Sequence, residues 1–180
     1  CNTVDEIFSF NGTSDLALYN KCLTGAFSLF NDCALNVDFV NPELLQSEKI
    51  NDYEAIYFPN FYVTNQKISE AVGNYIKNGG KAIFEGFFCM VDEESGVFEK
   101  SSPCCELGKM LGIKLKSVYS CKGMMETDAY TGSELNLEQV EIFGKKDKCY
   151  GSLCLTSYVA ENVTKYGRYK DGSIAVFGKK

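Results

Sequence analysis

Cys89 stands where a reactive group would be expected in this chain. It follows the apolar run Ala82–Phe88, and a nucleophile elbow places its Cys or Ser on a sharp turn after such a strand. The elbow needs small residues around the nucleophile, whereas Phe88 and Met90 flank Cys89. The chain also contains no His that could take up the thiol proton. We therefore expect a packed thiol, and an enzyme that uses Cys89 is kept as the less favoured hypothesis.

Acidic residues near Cys89 form a second candidate set: Glu85, Asp92, Glu93 and Glu94. A pair of carboxylates can hydrolyse a glycosidic bond, and carboxylate oxygens also bind hard cations. The last three are consecutive in a polar loop, where such side chains usually face water. Glu85 is more unusual because it lies within an apolar run. We expect it to bind a backbone amide, or a Lys at an interface, rather than to act in catalysis.

The segment Asn11-Gly12-Thr13 is the third candidate, since it leads into a helix and could bind an anion with its backbone amides. The chain has no GxGxxG and no P-loop lysine, so a helix cap is the favoured interpretation. The nine cysteines show no CxxC spacing. We predict no cofactor and no metal site.

Composition limits the partners and the compartment. A length of 180 residues fits a single domain, residues 1–180, and a net charge of −6 argues against nucleic acid. No apolar run is long enough to cross a membrane, and no signal peptide is visible. Cys22, Cys33 and Cys154 lie in apolar patterns and read as small core residues. Because the number of cysteines is odd and no disulfide framework is indicated, we expect a reducing cytoplasm. The start at Cys1 suggests a domain excised from a longer chain; the alternative is an exported lipoprotein with Cys1 lipidated.

Strands and helices alternate over the first two-thirds of the chain. A helix to about Phe30 follows the turn at residues 11–15, and a second, capped by Thr64, ends at Gly79-Gly80. A third helix opens at Ser102-Pro103 and ends at Gly112. The predicted strands are Ile7–Phe10, Val37–Val40, Ala55–Phe58 and Ala82–Phe88, the last of them buried on both faces.

The last third of the chain reads as short strands: Lys114–Tyr119, Gln139–Phe143, Leu153–Val159, Val163–Tyr169 and Ser173–Phe177. Asp171-Gly172 joins the last two, which is typical of a hairpin. The whole pattern predicts an α/β fold, a three-layer, flavodoxin-like sandwich with a mostly parallel sheet and antiparallel C-terminal strands.

The order of several landmarks carries a resemblance to a known family. They are Val37-Asp38-Phe39-Val40, Ala55–Pro59, Tyr75–Gly80, Val91-Asp92-Glu93, Leu111-Gly112-Ile113 and Tyr169–Val176. In this order they resemble the trimerisation domain of family 42 β-galactosidases, which has a class I glutaminase-like fold. Two features depart from the family: Ser102-Pro103-Cys104 replaces its usual Gly-Pro-Gly, and the Cys-rich C-terminal part matches weakly.

The resemblance implies a non-catalytic role. In that family the catalytic glutamates lie in a TIM barrel that precedes this domain, and the domain itself has lost the glutaminase nucleophile and serves subunit association. We therefore expect an oligomerisation domain of a β-galactosidase-like glycoside hydrolase that forms a homo-oligomer, for which the resemblance implies a trimer. Phe61-Tyr62 and Phe87-Phe88 could form its contact surface or its core. The alternative function is a small-molecule module that binds a sugar or an anion near Thr13 and Glu85.

Overall fold

The computed structural model describes residues 17–85, 88–97, 103, 105, 107–120, 138–142, 145–151, 154–168 and 174–180. The chain divides into two compact units, Cys1–Leu107 and Gly108–Lys180. The predicted strand Ile7–Phe10 and the turn at residues 11–15 lie outside the described residues. That the two units act as one domain stays a prediction.

The first unit contains helices and short strands. In chain order they are α1 (Ala17–Asp32), α2 (Pro42–Leu45), a 3-10 helix (Glu48–Asp52), β1 (Ala55–Phe58), β2 (Val63–Thr64), α3 (Gln66–Lys77), β3 (Lys81–Phe84) and β4 (Val91–Asp92). A short helix, α4 (Leu107–Leu111), lies at the boundary with the second unit.

The strands of the first unit pair in parallel. β1 pairs with β3, from Ala55 opposite Lys81 to Phe58 opposite Phe84, and β2 pairs with β4. Parallel pairing requires a crossover between the two strands, and α3 supplies it for β1 and β3. The predicted α/β class and the predicted strand Ala55–Phe58 are confirmed.

β3 is shorter than the predicted strand Ala82–Phe88, and its burial on both faces was wrongly predicted. The ladder ends at the Phe58–Phe84 pair, because Pro59 comes next in the partner strand and has no N–H to donate. Ile83 is 47% exposed. The exposure of Ile83 shows that one face of β3 is partly open. Within the described residues β3 also has a neighbouring strand at one edge only.

The bounds of α3 follow from its two caps. Asn65, not the predicted Thr64, is the N-cap: its side-chain oxygen accepts the Ile68 N–H at 2.9 Å. Thr64 is instead buried in β2. At the other end Gly79 has a φ of 96°, and the Gly80 N–H donates to the Tyr75 carbonyl at 3.0 Å. This is a Schellman motif, the C-terminal stop predicted from Gly79-Gly80.

α1 ends in the same motif with a less suitable residue. The Leu35 N–H donates to the Phe30 carbonyl at 3.1 Å and the Ala34 N–H to that of Asn31 at 2.9 Å, which puts Ala34 at a φ of 55°. Cys33, predicted to be a core residue, is exposed because it lies past the last helical turn.

The predicted strand Val37–Val40 is wrong. The segment is irregular, with Val37 and Val40 half-buried and Phe39 68% exposed. Burial at a spacing of three residues is not the alternation of a strand. The apolar pattern here reflects packing of an irregular segment.

The second unit contains antiparallel strands. They are β5 (Ile113–Ser120), β6 (Glu138–Ile142), β7 (Lys145–Gly151), β8 (Cys154–Ala160), β9 (Thr164–Arg168) and β10 (Ile174–Gly178). β5 pairs with β8, and the other four form a sheet in the order β10-β9-β6-β7. The predicted C-terminal strands are thus confirmed, whereas β7 was missed because its first half is a run of charged residues.

α4 differs from its prediction at one end. It begins at Leu107, while Pro103 lies in a bend before it. Its end before Gly112, which has a φ of 64°, agrees with the prediction.

The core of the first unit contains a stack of phenylalanines. The Phe84 ring lies 4.8 Å from that of Phe58 and 4.5 Å from that of Phe88, and Phe61 lies 4.9 Å from Phe58. Phe88 is 4% exposed. Phe88 therefore belongs to the core rather than to a contact surface, whereas Phe61 is half-buried beside Phe58. Phe87 lies outside the described residues.

Candidate functional site

Glu85 lies just past the carboxyl ends of β1 and β3, the position where an open α/β sheet binds its ligands. Its Oε1 accepts the Tyr57 hydroxyl at 2.8 Å, and its Oε2 accepts the Asn60 backbone N–H at 2.8 Å. A backbone amide is one of the partners expected from the sequence. Both carboxylate oxygens are thus engaged by the chain itself, in a geometry that fixes the turn after β1.

Tyr57 and Cys22, the titratable groups beside Glu85, both have raised pKa values. Burial, and then the hydrogen bond to the Glu85 carboxylate, raise the pKa of Tyr57 well above its usual range. Burial, with a smaller effect of the Glu85 charge, raises the pKa of the Cys22 thiol. Near neutral pH Tyr57 is a hydrogen-bond donor and Cys22 a protonated thiol, so neither is prepared for nucleophilic attack.

The turn opposite Glu85 includes a strained residue. Asn60 has a φ of 46°, and its side-chain Nδ2 is buried without a hydrogen-bond partner. The N–H···O bond to Glu85 holds this conformation in place. Asn60 and Tyr57 were not expected at this position, since 25 and 28 residues separate them from Glu85.

Cys89 has the backbone of an elbow without the access that an elbow needs. Its φ of 52° is the left-handed conformation, so the bulky neighbours Phe88 and Met90 did not prevent a sharp turn. The residue is 0% exposed. A thiol that reacts with substrate must be reached by it, and this one is enclosed by protein.

The backbone amides around Cys89 are also hydrogen-bonded within the protein. The Cys89 N–H donates to the Phe61 carbonyl at 2.7 Å, and the Met90 N–H donates to that of Tyr62 at 2.8 Å. An oxyanion hole uses backbone amides of this kind, aimed at the reacting oxygen of the substrate. Here they link two loops of the protein instead.

Asp92 and Glu93 are engaged locally. Asp92 accepts the Ser95 N–H at 2.9 Å and the Cys105 thiol at 3.2 Å; these two bonds, in that order, lower the pKa of Asp92. Glu93 accepts the Asn65 side-chain amide at 2.5 Å, which orients the N-cap of α3. Within the described ranges, no group of three Cys, Asp or Glu side chains is placed to hold a metal ion.

The structure does not test the predicted ligand site that includes Thr13. Thr13 lies outside the described residues, so a site between Thr13 and Glu85 stays a prediction.

A surface depression lies at the opposite, amino ends of β1 and β3, beside a Lys81–Glu54 ion pair of 2.6 Å. Both side chains of the pair are largely exposed, so it contributes little. None of the helices in the described part of the chain is long and apolar enough to span a membrane.

Comparison with known proteins identifies a family whose sequence model matches this chain. A family model described as the β-galactosidase trimerisation domain matches residues 10–172. Among functionally curated proteins, none is similar enough in sequence to match this chain.

Solved β-galactosidases share the fold. One from Rahnella sp. R3 is 18% identical, with a TM-score of 0.63 over 81% of this chain and 20% of the other. One from Bacillus circulans sp. alkalophilus is 16% identical, with a TM-score of 0.57 over 75% of this chain and 19% of the other. A catalytic mutant of a family 42 β-galactosidase from G. stearothermophilus is 16% identical, with a TM-score of 0.54 over 67% and 16%.

The chain spans about a fifth of the length of the first two of these proteins. At such identities the likeness shows the fold alone, whereas the family model covers most of the chain. The chain therefore belongs to the family of β-galactosidase trimerisation domains.

Proposed function

We propose that this chain is the accessory domain through which a longer, β-galactosidase-like glycoside hydrolase forms a homo-oligomer, in particular a trimer. The observation that carries the proposal is the family match over residues 10–172. In this proposal a TIM-barrel domain of the same parent chain performs the hydrolysis. The small share of each solved β-galactosidase that the chain covers supports this division of labour.

The geometry after β1 and β3 supports a domain without chemistry of its own. The Cys89 thiol is enclosed, and both oxygens of Glu85 are occupied by Tyr57 and Asn60. A ligand at this position would have to share oxygens that each already accept one internal hydrogen bond. A sugar- or anion-binding module is therefore not favoured, and neither is an enzyme that uses Cys89.

We also propose that the first unit forms the three-layer, glutaminase-like sandwich expected from the sequence. The Phe30 ring of α1 meets the Tyr57 ring edge-on, with centroids 5.3 Å apart. Tyr57 alternates along β1 with Ile56 and Phe58, which are buried on the opposite face of the strand. This alternation supports a helix layer on each face of the sheet.

The proposal also includes a cytoplasmic location and the absence of a nucleic-acid partner. Cys22 and Cys33 are free thiols, which supports a reducing cytoplasm. The net charge of −6 supports the absence of a nucleic-acid partner.

Sedimentation equilibrium of the 180-residue chain tests the proposal. We expect a species of three times the 20.0 kDa mass of one chain, and no hydrolysis of an aryl β-galactoside. A chain that stays monomeric at millimolar concentration would contradict the association role. Hydrolysis that Cys89→Ser abolishes would contradict the non-catalytic one.

A further inference from the structure

The middle ten residues of α1 carry no charge, and Lys21 and Asp32 lie at either end of them. From Cys22 to Asn31 the helix contains no Asp, Glu, Lys or Arg. Several of these residues are nevertheless exposed: Thr24, Gly25, Phe27, Ser28 and Leu29. A helix on the surface of a globular protein normally turns its charged residues to water. An exposed side without them indicates that something other than water meets it.

α3 shows what an ordinary solvated side looks like in the same unit. It buries Ile68, Val72 and Tyr75, and its exposed residues are Gln66, Lys67, Glu70, Asn74 and Lys77. Its outward side is thus charged or strongly polar along its length. The uncharged middle of α1 is therefore a property of that helix and not of the fold in general.

The uncharged residues of α1 form one continuous face. At 3.6 residues per turn, Phe27 and Leu29 bound an arc of about 200° on the side away from the core. Thr24, Gly25 and Ser28 fall between them. Phe39 extends the face, because its ring stacks on that of Phe27 with centroids 5.6 Å and planes 19° apart. These six residues (Thr24, Gly25, Phe27, Ser28, Leu29 and Phe39) are named the α1 face.

The α1 face has large apolar side chains at its edges and small residues at its centre. Phe27 is 39% exposed, Leu29 56% and Phe39 68%. Between the edges, no atom lies within 4 Å of a Cβ built on Gly25. The Thr24 hydroxyl donates to the Asn20 carbonyl at 2.8 Å, so its polar hydrogen is already paired within the helix. Covering this face removes apolar surface from water and leaves that hydroxyl satisfied.

We propose that the α1 face packs against a second copy of this chain. The inference rests on the proposed function and names the surface that carries it. A second copy is the occupant because the chain belongs to a family of trimerisation domains. Depletion of charge and enrichment in aromatic residues are also typical of the centre of a protein interface.

The size of the α1 face fits the centre of an interface rather than its whole. The ten uncharged residues from Cys22 to Asn31 span about 15 Å, and with a width of about 10 Å they present about 150 Å². A stable interface buries about 800 Å² on each partner. The face therefore needs a polar rim around it, and a charge placed at its centre should be the most damaging change.

Ser28→Arg places that charge, and sedimentation of the 180-residue chain measures its effect. We expect the dissociation constant to rise about tenfold or more, since a bulky charged side chain at the centre of an interface is strongly unfavourable even with the Asp32 carboxylate one helical turn away. Phe39→Asp, which lies outside the helix, should weaken association independently of helix stability. Asn74→Arg is the matched control, because it adds the same charge to the exposed side of α3 and should leave association unchanged. Circular dichroism establishes that each variant is folded.

The outcomes separate the two proposals. Association of Ser28→Arg and Phe39→Asp with the affinity of the unmodified chain would overturn the α1 face and leave the proposed function in place. An equal loss in Asn74→Arg would also overturn the face, since any added charge would then act alike. An unmodified chain that is monomeric at millimolar concentration would overturn both.

Discussion

Replacing Gly80 with Ala tests how tightly the chain packs where α3 ends. The new Cβ would lie 2.2, 2.3 and 2.5 Å from three ring atoms of Tyr75. Carbon atoms in favourable contact are about 3.5–4.0 Å apart, so the ring would have to withdraw by more than about 1 Å. It has little freedom to do so, because Tyr75 is 1% exposed and its hydroxyl donates to the Tyr53 carbonyl at 2.9 Å.

The expected effect is the difference between two contributions. Forcing extra volume into a packed site destabilises by about 1–3 kcal/mol. Removing a glycine from the unfolded chain stabilises by about 0.4–1 kcal/mol. We therefore expect Gly80→Ala to lower the free energy of unfolding by about 1–2 kcal/mol. In a Tyr75→Leu background the obstructing ring atoms are gone, and the same change should be neutral or stabilise by up to about 1 kcal/mol.

Urea unfolding followed by circular dichroism measures the four proteins of this cycle. Tyr75→Leu lowers stability by itself, and it serves as the reference for the double variant. The coupling between the two positions should be about 2 kcal/mol, within the range for residues in direct contact. An equal cost of Gly80→Ala in both backgrounds would refute the reasoning, because the glycine would then be required by the backbone and not by the ring.

Three further predictions concern strain, pH and thiol reactivity. Ala34→Gly should raise the free energy of unfolding by about 0.5–1 kcal/mol, because the left-handed conformation of Ala34 is unfavourable for an L-residue; a lower urea midpoint would contradict it. Asp92→Asn should destabilise at pH 7 and much less at pH 3. Because the pKa of Asp92 is lowered in the folded chain, the ionised carboxylate stabilises the fold fully above its unfolded pKa of 3.8, and this stabilisation is lost as the pH falls through the folded pKa. A loss of unfolding free energy that is equal at both pH values would contradict this prediction. Iodoacetamide should alkylate exposed Cys33 in the folded chain and reach buried Cys89 only after unfolding, as read by peptide mass spectrometry. Equal rates at the two thiols would show that Cys89 is accessible.

The elements that sequence predicted well are those whose signals are local. The stripe of Ile68, Val72 and Tyr75, with Gly79-Gly80 after it, defined α3 to within a few residues of its bounds. The segment at Val37–Val40 failed because a strand also needs a partner, and partner strands are a tertiary property. The N-cap moved from Thr64 to Asn65 because pairing of Thr64 in β2 took precedence over local capping.

The candidate site was predictable only in part, for the same reason. That Glu85 would bind a backbone amide could be expected from its apolar neighbours, but its partners lie on another strand and loop. The sequence did not predict the α1 face and pointed instead to Phe88, which is a core residue, and to Phe61, which is half-buried. Its signal was an absence, the ten residues without charge from Cys22 to Asn31.

The hydrogen bonds between the loops after β1 and β3 also constrain how this domain could be engineered. The amides of Cys89, Met90 and Glu93 donate to carbonyls of the segment from Phe61 to Thr64. In many α/β enzymes these loops are the part of the fold that accepts new sequences and new substrates. Here lengthening either loop would break the ladder that joins it to the other. New binding functions should therefore be grafted at other positions, and this edge of the sheet should tolerate fewer insertions than its loop composition indicates.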